Sequence, residues 1–237
     1  MRTRARMLMV VGFLMGCGSL SLQANLITNG SFETPVVGAG SFANYVSGST
    51  GITGWTVVGA AGGVSIVSGT YSQECCTFPA EDGVQWLDLT GDGTNSVEGV
   101  QQTVATTPGT QYTLSFWVGN IYDPNGIFGT TSTVNVLLGG ISGTLLDTAT
   151  NSSTITGTQT WEQFTTSFTA TGTSTTLDFM NGDPPGDNSN GLDNVVLTVA
   201  GQAGVPEPGT LSLLGAGIIA VGLFGRRKAV RSRTPLV

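Results

Sequence analysis

Hydrophobic and polar residues alternate in several short runs between Asn25 and Ala200. These runs are rich in Val, Thr, Phe and Tyr and are separated by Gly, Asn and Pro, a pattern that predicts short β-strands and no helix. The hydrophobic positions of the clearest runs are Tyr112, Leu114, Phe116 and Val118, then Val134, Val136 and Leu138, then Phe164 and Phe168, then Leu177 and Phe179, and finally Val195, Leu197 and Val199. The sequence therefore predicts one all-β domain over residues 25–200, an antiparallel β-sandwich or jelly roll.

The first 24 residues have the layout of a secretory signal peptide. Arg2, Arg4 and Arg6 precede an apolar run over residues 7–15, and small and polar residues follow up to Ala24. A strand-like segment starts immediately afterwards. We therefore predict export through the secretion translocon and cleavage by signal peptidase after Ala24. Lipoprotein processing at Cys17 is the alternative, because residues 14–17 loosely resemble a lipobox.

An apolar segment near the C-terminus predicts a transmembrane helix over residues 209–225. It follows a linker, residues 201–208, and precedes a basic tail, residues 226–237. At about 1.5 Å per residue, residues 211–225 span roughly 22 Å, which is short of the ~30 Å hydrocarbon core, so the helix inserts only marginally. The positive-inside rule places the basic tail in the cytoplasm and the acidic domain outside.

The order of elements at this end resembles the PEP-CTERM sorting signal of bacterial envelope proteins. The residues that carry the resemblance are Pro206, Glu207 and Pro208 before the apolar segment, and Arg226, Arg227 and Lys228 after it. In that family the membrane protease exosortase recognises the signal and removes the tail. The resemblance implies exosortase as a partner, an initial inner-membrane anchor, and a final place in the envelope or outside a cell that makes extracellular polysaccharide. An ordinary permanent tail anchor is the alternative.

The distribution of charge excludes several classes of function. All eight basic residues lie within residues 2–6 and 226–233, whereas every acidic residue except Glu207 lies between Asn25 and Val205, where there is no Lys, Arg or His. This region cannot neutralise nucleic-acid phosphates, so we expect no nucleic-acid binding. It also lacks the residues for a His-based triad, a Schiff-base lysine or a His-ligated zinc ion. Carboxylate chemistry, calcium binding or no chemistry remain.

Four motifs follow one another between residues 25 and 199. They are NLITNGSFETP at 25–35, GW at 54–55, GVQQTVATTPGTQYTLSFWVG at 99–119 and GLDNVVLTV at 191–199. In this order they resemble the galactose-binding-like jelly-roll superfamily, close to extracellular domains of unknown function in plant cell walls and bacterial envelope proteins. The resemblance implies a non-catalytic module that binds carbohydrate and holds a structural calcium ion. Residues 122–160 carry no part of it, so binding residues on those loops cannot be transferred.

The same resemblance implies two calcium ligands. In carbohydrate-binding jelly rolls, the Glu of an NG-x-FE motif and the Asp of a late D-N motif share the ion with backbone carbonyls, and by position these are Glu33 and Asp193. A hard cation prefers oxygen ligands, and a strongly acidic domain favours binding one. The alternative is that both side chains are solvated residues at strand ends.

Two other segments are rich in Asp and Asn. Their residues are Asp183, Asp187, Asn188 and Asn190 in the first and Asp92, Asn95 and Glu98 in the second. Neither segment has the ligand spacing of an EF-hand loop. Because Asp and Asn side chains readily bond to their own backbone, the sequence favours turns without an ion in both places.

Aromatic side chains are the candidates for stacking on sugar rings. Of Trp55, Trp86, Trp117 and Trp161, most are expected in the interior, as is usual for large aromatic residues. Trp117 is out of phase with the hydrophobic run around it, and Trp86 lies close to Asp88, so both are predicted ligand-binding residues. Tyr122 is a third, in a loop with Asp123 and Asn125.

Cys75 and Cys76 are adjacent and are the two cysteines that remain after signal removal. A vicinal disulfide, two free thiols and an intermolecular bridge are the alternatives, and export favours oxidation. Neighbouring Cα atoms lie about 3.8 Å apart, below the usual separation of bridged cysteines. No C-x-x-C motif is present, so we assign no redox catalysis.

These observations predict an exported, non-catalytic protein that binds or organises extracellular polysaccharide, with calcium as a structural ion. A structural matrix or envelope protein without a small ligand is the first alternative. A glycoside hydrolase is the second, because such enzymes need two carboxyl groups about 5 to 9.5 Å apart. Its candidate residues are Glu74, Glu81, Asp82, Asp88 and Glu98.

Overall fold

The alternating runs form strands in the structure, a computed structural model that describes residues 24–59, 62–91, 97–184 and 186–201. These residues contain thirteen strands and no helix, so the predicted all-β fold class is confirmed. In chain order the strands are β1 (Phe42–Tyr45), β2 (Thr56–Gly59), β3 (Val64–Ser68), β4 (Ser72–Gln73), β5 (Cys76–Thr77), β6 (Gln85–Asp88), β7 (Glu98–Ala105), β8 (Gln111–Asn120), β9 (Ser132–Leu138), β10 (Thr144–Asn151), β11 (Thr160–Thr169), β12 (Ser174–Asn181) and β13 (Gly191–Val199).

The strands form two antiparallel sheets and a short ribbon. The larger sheet has the order β1-β3-β6-β13-β8-β11, the smaller has the order β10-β9-β12-β7-β2, and β4 pairs with β5. The longest pairing joins β8 to β11, from Asn120 opposite Thr160 to Gln111 opposite Thr169. The last strand, β13, lies in the middle of the larger sheet, between β6 and β8.

The predicted hydrophobic positions fill the space between the two sheets. On β8, Leu114, Phe116 and Val118 are completely buried, whereas the intervening residues face away from this layer. Phe179 of β12 meets Phe116 edge to face, with ring centroids 5.4 Å apart. The rings of Trp55 and Phe179 also meet edge to face, with centroids 5.9 Å apart. The buried apolar side chains between the two sheets form the main hydrophobic core. Burying one large apolar side chain contributes about 1.5 to 3 kcal/mol to the stability of the fold.

The segment directly after Ala24 is not the strand that the sequence predicted. Residues 26–31 form bends and a turn, and Asn29 and Phe32 have φ angles of 56° and 55°, which an extended strand does not allow. The segment still runs along β13, because Leu26 N–H donates to Leu197 O at 3.0 Å and Asn25 Oδ1 accepts Leu197 N–H at 2.9 Å. The Asn25 side chain thus accepts a hydrogen bond from β13 that a backbone carbonyl would accept if this segment were a paired β-strand.

A β-bulge interrupts β13 between Asp193 and Val196. Asn194 has a φ angle of 46°, and Val195 N–H donates to Gly30 O at 3.0 Å. A Cβ atom at position 30 would collide with the carbonyl oxygen of Val195, so this close approach requires glycine. Bulges redirect the side chains beside them, and here Asp193 is directed toward the turn at residues 81–85.

A second hydrophobic cluster covers part of the outer face of the larger sheet. Val67 and Trp86 alternate with the inward-facing Ile66 and Leu87, and therefore point away from the main core. Residues 71–80, which include the β4-β5 ribbon, and residues 121–128 fold over them. The buried members of this outer cluster are Val67, Cys76, Phe78, Trp86, Ile121 and Phe128.

The two ends of the chain lie outside the described residues. This applies to the predicted signal peptide up to residue 23, the sorting residues, the transmembrane helix at 209–225 and the basic tail. Among the residues that are described, no helix has the length and apolar character needed to cross a membrane. The strands belong to one compact unit within residues 23–202.

Candidate functional site: an aromatic cleft and two acidic centres

A cleft with a volume of ≈ 260 Å³ opens on the outer face of the larger sheet, beside the outer cluster. Val67 and Trp86 form its floor, and the segments around residues 71–78 and 127–128 contribute its walls. Its aromatic lining residues are Phe42, Tyr71, Phe78, Trp86 and Phe128, and its polar lining residues are Ser65, Gln73, Asp88 and Asn188. Apolar ring surface combined with a few hydrogen-bonding groups is typical of a small-ligand site.

The aromatic side chains of the cleft support one another. Phe78 stacks on Trp86 with ring centroids 6.1 Å apart and planes 13° from parallel, and Phe128 meets Phe78 edge to face at 5.2 Å. Tyr71 meets Phe42 edge to face at 5.5 Å. Phe42 is 40% exposed, whereas Trp86 is 1% exposed. The floor is therefore rigid, and the aromatic surface open to a ligand lies toward Phe42.

The indole N–H groups of Trp86 and Trp161, beside the cleft, both donate to backbone carbonyls of the protein. Trp86 Nε1–H donates to Phe78 O at 3.2 Å, and Trp161 Nε1–H donates to Pro79 O at 2.9 Å. Both bonds fix the segment after the β4-β5 ribbon against the sheet. The two rings also meet edge to face at 5.9 Å, so Trp161 supports the floor from the side.

Asp88, at the end of β6, is the carboxyl group among the described lining residues. Its Oδ1 atom accepts three hydrogen bonds, from Thr90 N–H at 3.0 Å, from the Thr90 hydroxyl at 2.8 Å and from Asn190 N–H at 3.2 Å. Burial raises the pKa of Asp88 to about 6 in spite of these bonds, and the charge of Glu98 adds to the rise. The cleft is thus lined by a buried carboxyl group as well as by aromatic and uncharged polar side chains.

The structure brings one of the three predicted ligand-binding residues to the cleft. Trp86 forms the floor, although it is almost completely buried. Trp117, on the outer face of β8, and Tyr122, in the following loop, are half-buried and are not among the lining residues. Phe42 and Tyr71 were missed because neither belongs to a clear alternating run.

Cys75 and Cys76 form a disulfide in the structure. They lie where β4 turns into β5, next to Glu74, which has a φ angle of 49°. Cys75 is exposed, whereas Cys76 is buried in the outer cluster beside Phe78. The disulfide therefore lies in the segment that forms a wall of the cleft.

Glu33 and Asp193, the predicted calcium ligands, approach the same turn from two sides. Glu33 Oε1 accepts the N–H groups of Val84 and Gln85 at 2.8 and 3.0 Å. Asp193 Oδ2 accepts the N–H groups of Glu81 and Asp82 at 2.9 and 3.1 Å. Both carboxylates thus act as acceptors for the backbone of residues 81–85.

The surroundings of Asp193 decide how well this pair fits a cation. Burial raises the pKa of Asp193 to about 8, although three backbone N–H groups lower it, and the charge of Glu81 raises it further. A nearby cation would stabilise the ionised form. The bonded oxygens, however, already face N–H donors, and in the described part of the chain no three Asp, Glu, His or Cys side chains are grouped as a metal site. Calcium at Glu33 and Asp193 stays a prediction.

A second acidic centre lies in the loop between β12 and β13. Burial raises the pKa of Asp183 to about 8 and that of Asp187 to about 7. The charge of Asp187 raises the pKa of Asp183, and the charge of Asp88 raises both. Asx-type bonds are present here, because Asn181 Oδ1 accepts Asp183 N–H at 3.1 Å and Asp187 Oδ1 accepts Ser189 N–H at 3.4 Å. Asp92 and Asn95 lie outside the described residues.

The candidate carboxylates of a glycosidase do not line the cleft together. Glu74 is exposed at the turn of the β4-β5 ribbon, and Glu98 is completely buried on β7. Glu81 accepts the Asn194 amide at 2.8 Å, and Asp82 accepts the Ser31 hydroxyl at 2.6 Å. Of these candidates, Asp88 alone is among the described lining residues of the cleft.

An antiparallel β-sandwich with an aromatic cleft on one outer face defines the class of this all-β domain. Two family models match the chain. The chain belongs to the family described as protein of unknown function DUF642, whose model covers residues 25–197. The PEP-CTERM protein-sorting motif matches residues 204–228, which confirms the resemblance at the C-terminus. Comparison with curated proteins gives no match.

Several solved structures are similar in fold. A CBM61 module in complex with β-1,4-galactotriose is 16% identical, with a TM-score of 0.44 over 74% of this chain and 99% of that one. A family 16 carbohydrate-binding module is 22% identical, with a TM-score of 0.41 over 73% and 99%. The enzymatically active domain of bacteriophage CBA120 tailspike protein 4 is 16% identical, with a TM-score of 0.42 over 74% of this chain. The match spans 21% of that tailspike chain.

Proposed function

We propose that this protein is an exported, non-catalytic envelope protein that binds extracellular polysaccharide through the cleft on the larger sheet. The observation that carries the proposal is the composition of the cleft, where aromatic rings and a few hydrogen-bonding groups line one concave surface. A sugar ring has C–H groups on its faces and hydroxyl groups at its rim. Aromatic faces bury the former, and groups such as Gln73 and Asn188 bond the latter.

The charge of the domain restricts the polysaccharide class. Between Asn25 and Val205 there are acidic residues but no Lys, Arg or His, and Asp88 lies at the cleft itself. An anionic polymer such as a uronic-acid chain would be repelled by this field and would find no basic partner. The polysaccharide that we propose is therefore a neutral one.

The arrangement of carboxyl groups supports binding rather than hydrolysis. Glycoside hydrolysis by the usual mechanisms needs two carboxyl groups flanking the scissile bond. Asp88 is the one carboxyl group among the described lining residues, and its Oδ1 atom is engaged by Thr90 and Asn190. This favours a module that holds its ligand without cleaving it.

A pull-down of the full-length chain with insoluble polysaccharide tests the proposal. We expect retention on neutral polysaccharide from the producing cells, little retention on an acidic one, and release of no reducing ends. Phe42→Ala should weaken retention by at least ~10-fold, since an exposed ring face is lost. Tyr122→Ala is the matched control, because Tyr122 is also aromatic and partly accessible to solvent but does not line the cleft.

Two outcomes would overturn the proposal. Retention that is lost in Tyr122→Ala or Trp117→Ala but kept in Phe42→Ala would place the binding surface elsewhere. Self-association without retention on any polysaccharide would favour the structural matrix protein instead. The sorting function is tested separately, because Glu207→Ala should leave an uncleaved chain in the membrane fraction if exosortase processes this signal.

A further inference from the structure

We propose that Asp183, Asp187 and Asn190 form a calcium site at the end of the cleft, separate from the Glu33 and Asp193 pair. The ligand atoms are carboxylate oxygens of the two Asp residues and the amide oxygen of Asn190. The site does not depend on the proposed function, because it binds the ion whether or not a sugar is present.

The first observation is an orphaned buried oxygen on Asn190. This residue is completely buried, and its Nδ2 atom donates to Thr133 O at 2.6 Å and to Asn181 Oδ1 at 2.7 Å. Both partners are acceptors, so they fix the orientation of the amide. Its Oδ1 atom has no hydrogen-bond partner. The neighbouring Ser189 hydroxyl is buried and also lacks a partner. Buried oxygens of this kind are costly unless something binds them.

The second observation is an unused carboxylate oxygen on Asp183. Asp183 Oδ1 accepts the N–H of Thr133, whereas its Oδ2 atom is buried and has no hydrogen-bond partner. Asp183 N–H and Asn190 Nδ2 both donate to Asn181 Oδ1, at 3.1 and 2.7 Å. The two residues are therefore held against a common acceptor, and both retain an unused oxygen.

The third observation concerns charge. Asp183, Asp187 and Asp88 are close enough for their charges to interact, and no basic residue exists between Asn25 and Val205 to balance them. Several buried acids without a counter-charge are unfavourable, and a divalent cation removes that cost.

The oxygen donors select the kind of ion. Carboxylate and amide oxygens on an irregular loop suit calcium, which takes six to eight oxygen ligands in flexible geometry, better than magnesium, which requires a near-ideal octahedron. Asp187 also packs against Gly129, where a Cβ atom would collide with the carboxylate. An ion held by Asp187 would therefore lie close to Gly129, which directly follows the 121–128 segment, and next to Asn188 and Asp88 of the cleft.

The test is calcium binding by the full-length chain, purified in mild detergent and stripped with EDTA, without any sugar. We expect an upward shift of ~5 to 10 °C in the unfolding temperature at saturating calcium and a much smaller one with magnesium. Titration calorimetry should give an affinity that falls at least ~10-fold in Asp183→Asn and in Asp187→Asn. In EDTA, Asp183→Asn should unfold at the native temperature or above it, since the amide is neutral and its oxygen can still accept the Thr133 N–H.

Controls separate this site from the other acidic positions. Asp147→Asn removes one acid from β10 of the smaller sheet, and Glu33→Gln alters the other predicted calcium pair. Both should keep the calcium shift. The proposal is overturned if calcium produces no shift, if Asp183→Asn keeps the full shift, or if Glu33→Gln abolishes it. None of these outcomes bears on polysaccharide retention, which is measured separately in EDTA and in calcium.

Discussion

Phe78 and Trp86 are joined in two ways, because their rings stack 13° from parallel and the Trp86 indole N–H donates to the Phe78 carbonyl at 3.2 Å. The pair connects the segment after the disulfide to β6 of the larger sheet. The outer cluster therefore has one central contact, on which both the floor and a wall of the cleft depend.

Replacing Trp86 should strongly destabilise the domain. Trp86→Ala removes a 1% exposed indole and leaves a cavity, at an expected cost of about 3 to 5 kcal/mol in the free energy of unfolding. Urea unfolding measures this cost. Trp117→Ala is the control, since Trp117 is half-buried on the same face and should cost less. Equal costs for the two variants would contradict the central role of Trp86.

Asp193 should matter for stability even without calcium. Asp193→Ala leaves the partly buried N–H groups of Glu81 and Asp82 without their acceptor, at an expected total cost of about 1 to 3 kcal/mol. Glu33→Gln should cost less than about 1 kcal/mol, because the amide oxygen still accepts from Val84 and Gln85. Urea unfolding in EDTA compares the two variants, and a neutral Asp193→Ala would contradict the hydrogen-bonding role.

The stability of the domain should depend on the protonation of Asp178. This residue is completely buried, and burial raises its pKa to about 6, partly offset by the Gly140 N–H at 3.0 Å. The folded state holds the proton more tightly than the unfolded state, so the stabilisation is full below the unfolded pKa and is lost as the pH rises through about 6. Relative to Asp178→Asn, the native chain should lose stability between about pH 4 and pH 7. Urea unfolding at several pH values tests this, and parallel pH profiles would contradict it.

The vicinal disulfide should be intramolecular and of small global effect. Reduction should add the mass of two hydrogens to the intact chain, and no disulfide-linked dimer should appear on a non-reducing gel. Since neighbouring residues close no long loop, reduction should change the free energy of unfolding by less than about 1 kcal/mol. A covalent dimer would instead support the intermolecular bridge.

Much of the fold follows from the sequence because a half-buried strand imposes a period of two on its residues. Tyr112, Leu114, Phe116 and Val118 all face the main core as the alternation predicts. The strand predicted directly after Ala24 was wrong. There the Asn25 side chain takes part in pairing with β13, and the positive φ angles of Asn29 and Phe32 prevent a regular strand. Residues 144–151, which form β10 at a sheet edge, were not predicted because edge strands with exposed faces show little alternation.

The candidate site was predictable only in part. Trp86 was identified from its position near Asp88, but Phe42 and Tyr71 reach the cleft through loops whose paths leave no periodic signal. The acidic loop at 183–190 was visible in the sequence, whereas its partner Asp88 is about a hundred positions away, and local spacing cannot show such an encounter. The sequence also cannot show that one oxygen of Asp183 and one of Asn190 lack a hydrogen-bond partner, because this depends on the complete hydrogen-bond network of the folded chain.

The position of β13 has a consequence for export. The strand that reaches the outside last is inserted between β6 and β8, and the first residue after the predicted cleavage site, Asn25, binds to it at Leu197. The two halves of the larger sheet, β1-β3-β6 and β8-β11, cannot join until that strand arrives, because it lies between them. The chain should therefore complete its larger sheet only when residues 191–199 have emerged from the membrane, a few positions before the sorting motif at 204–228.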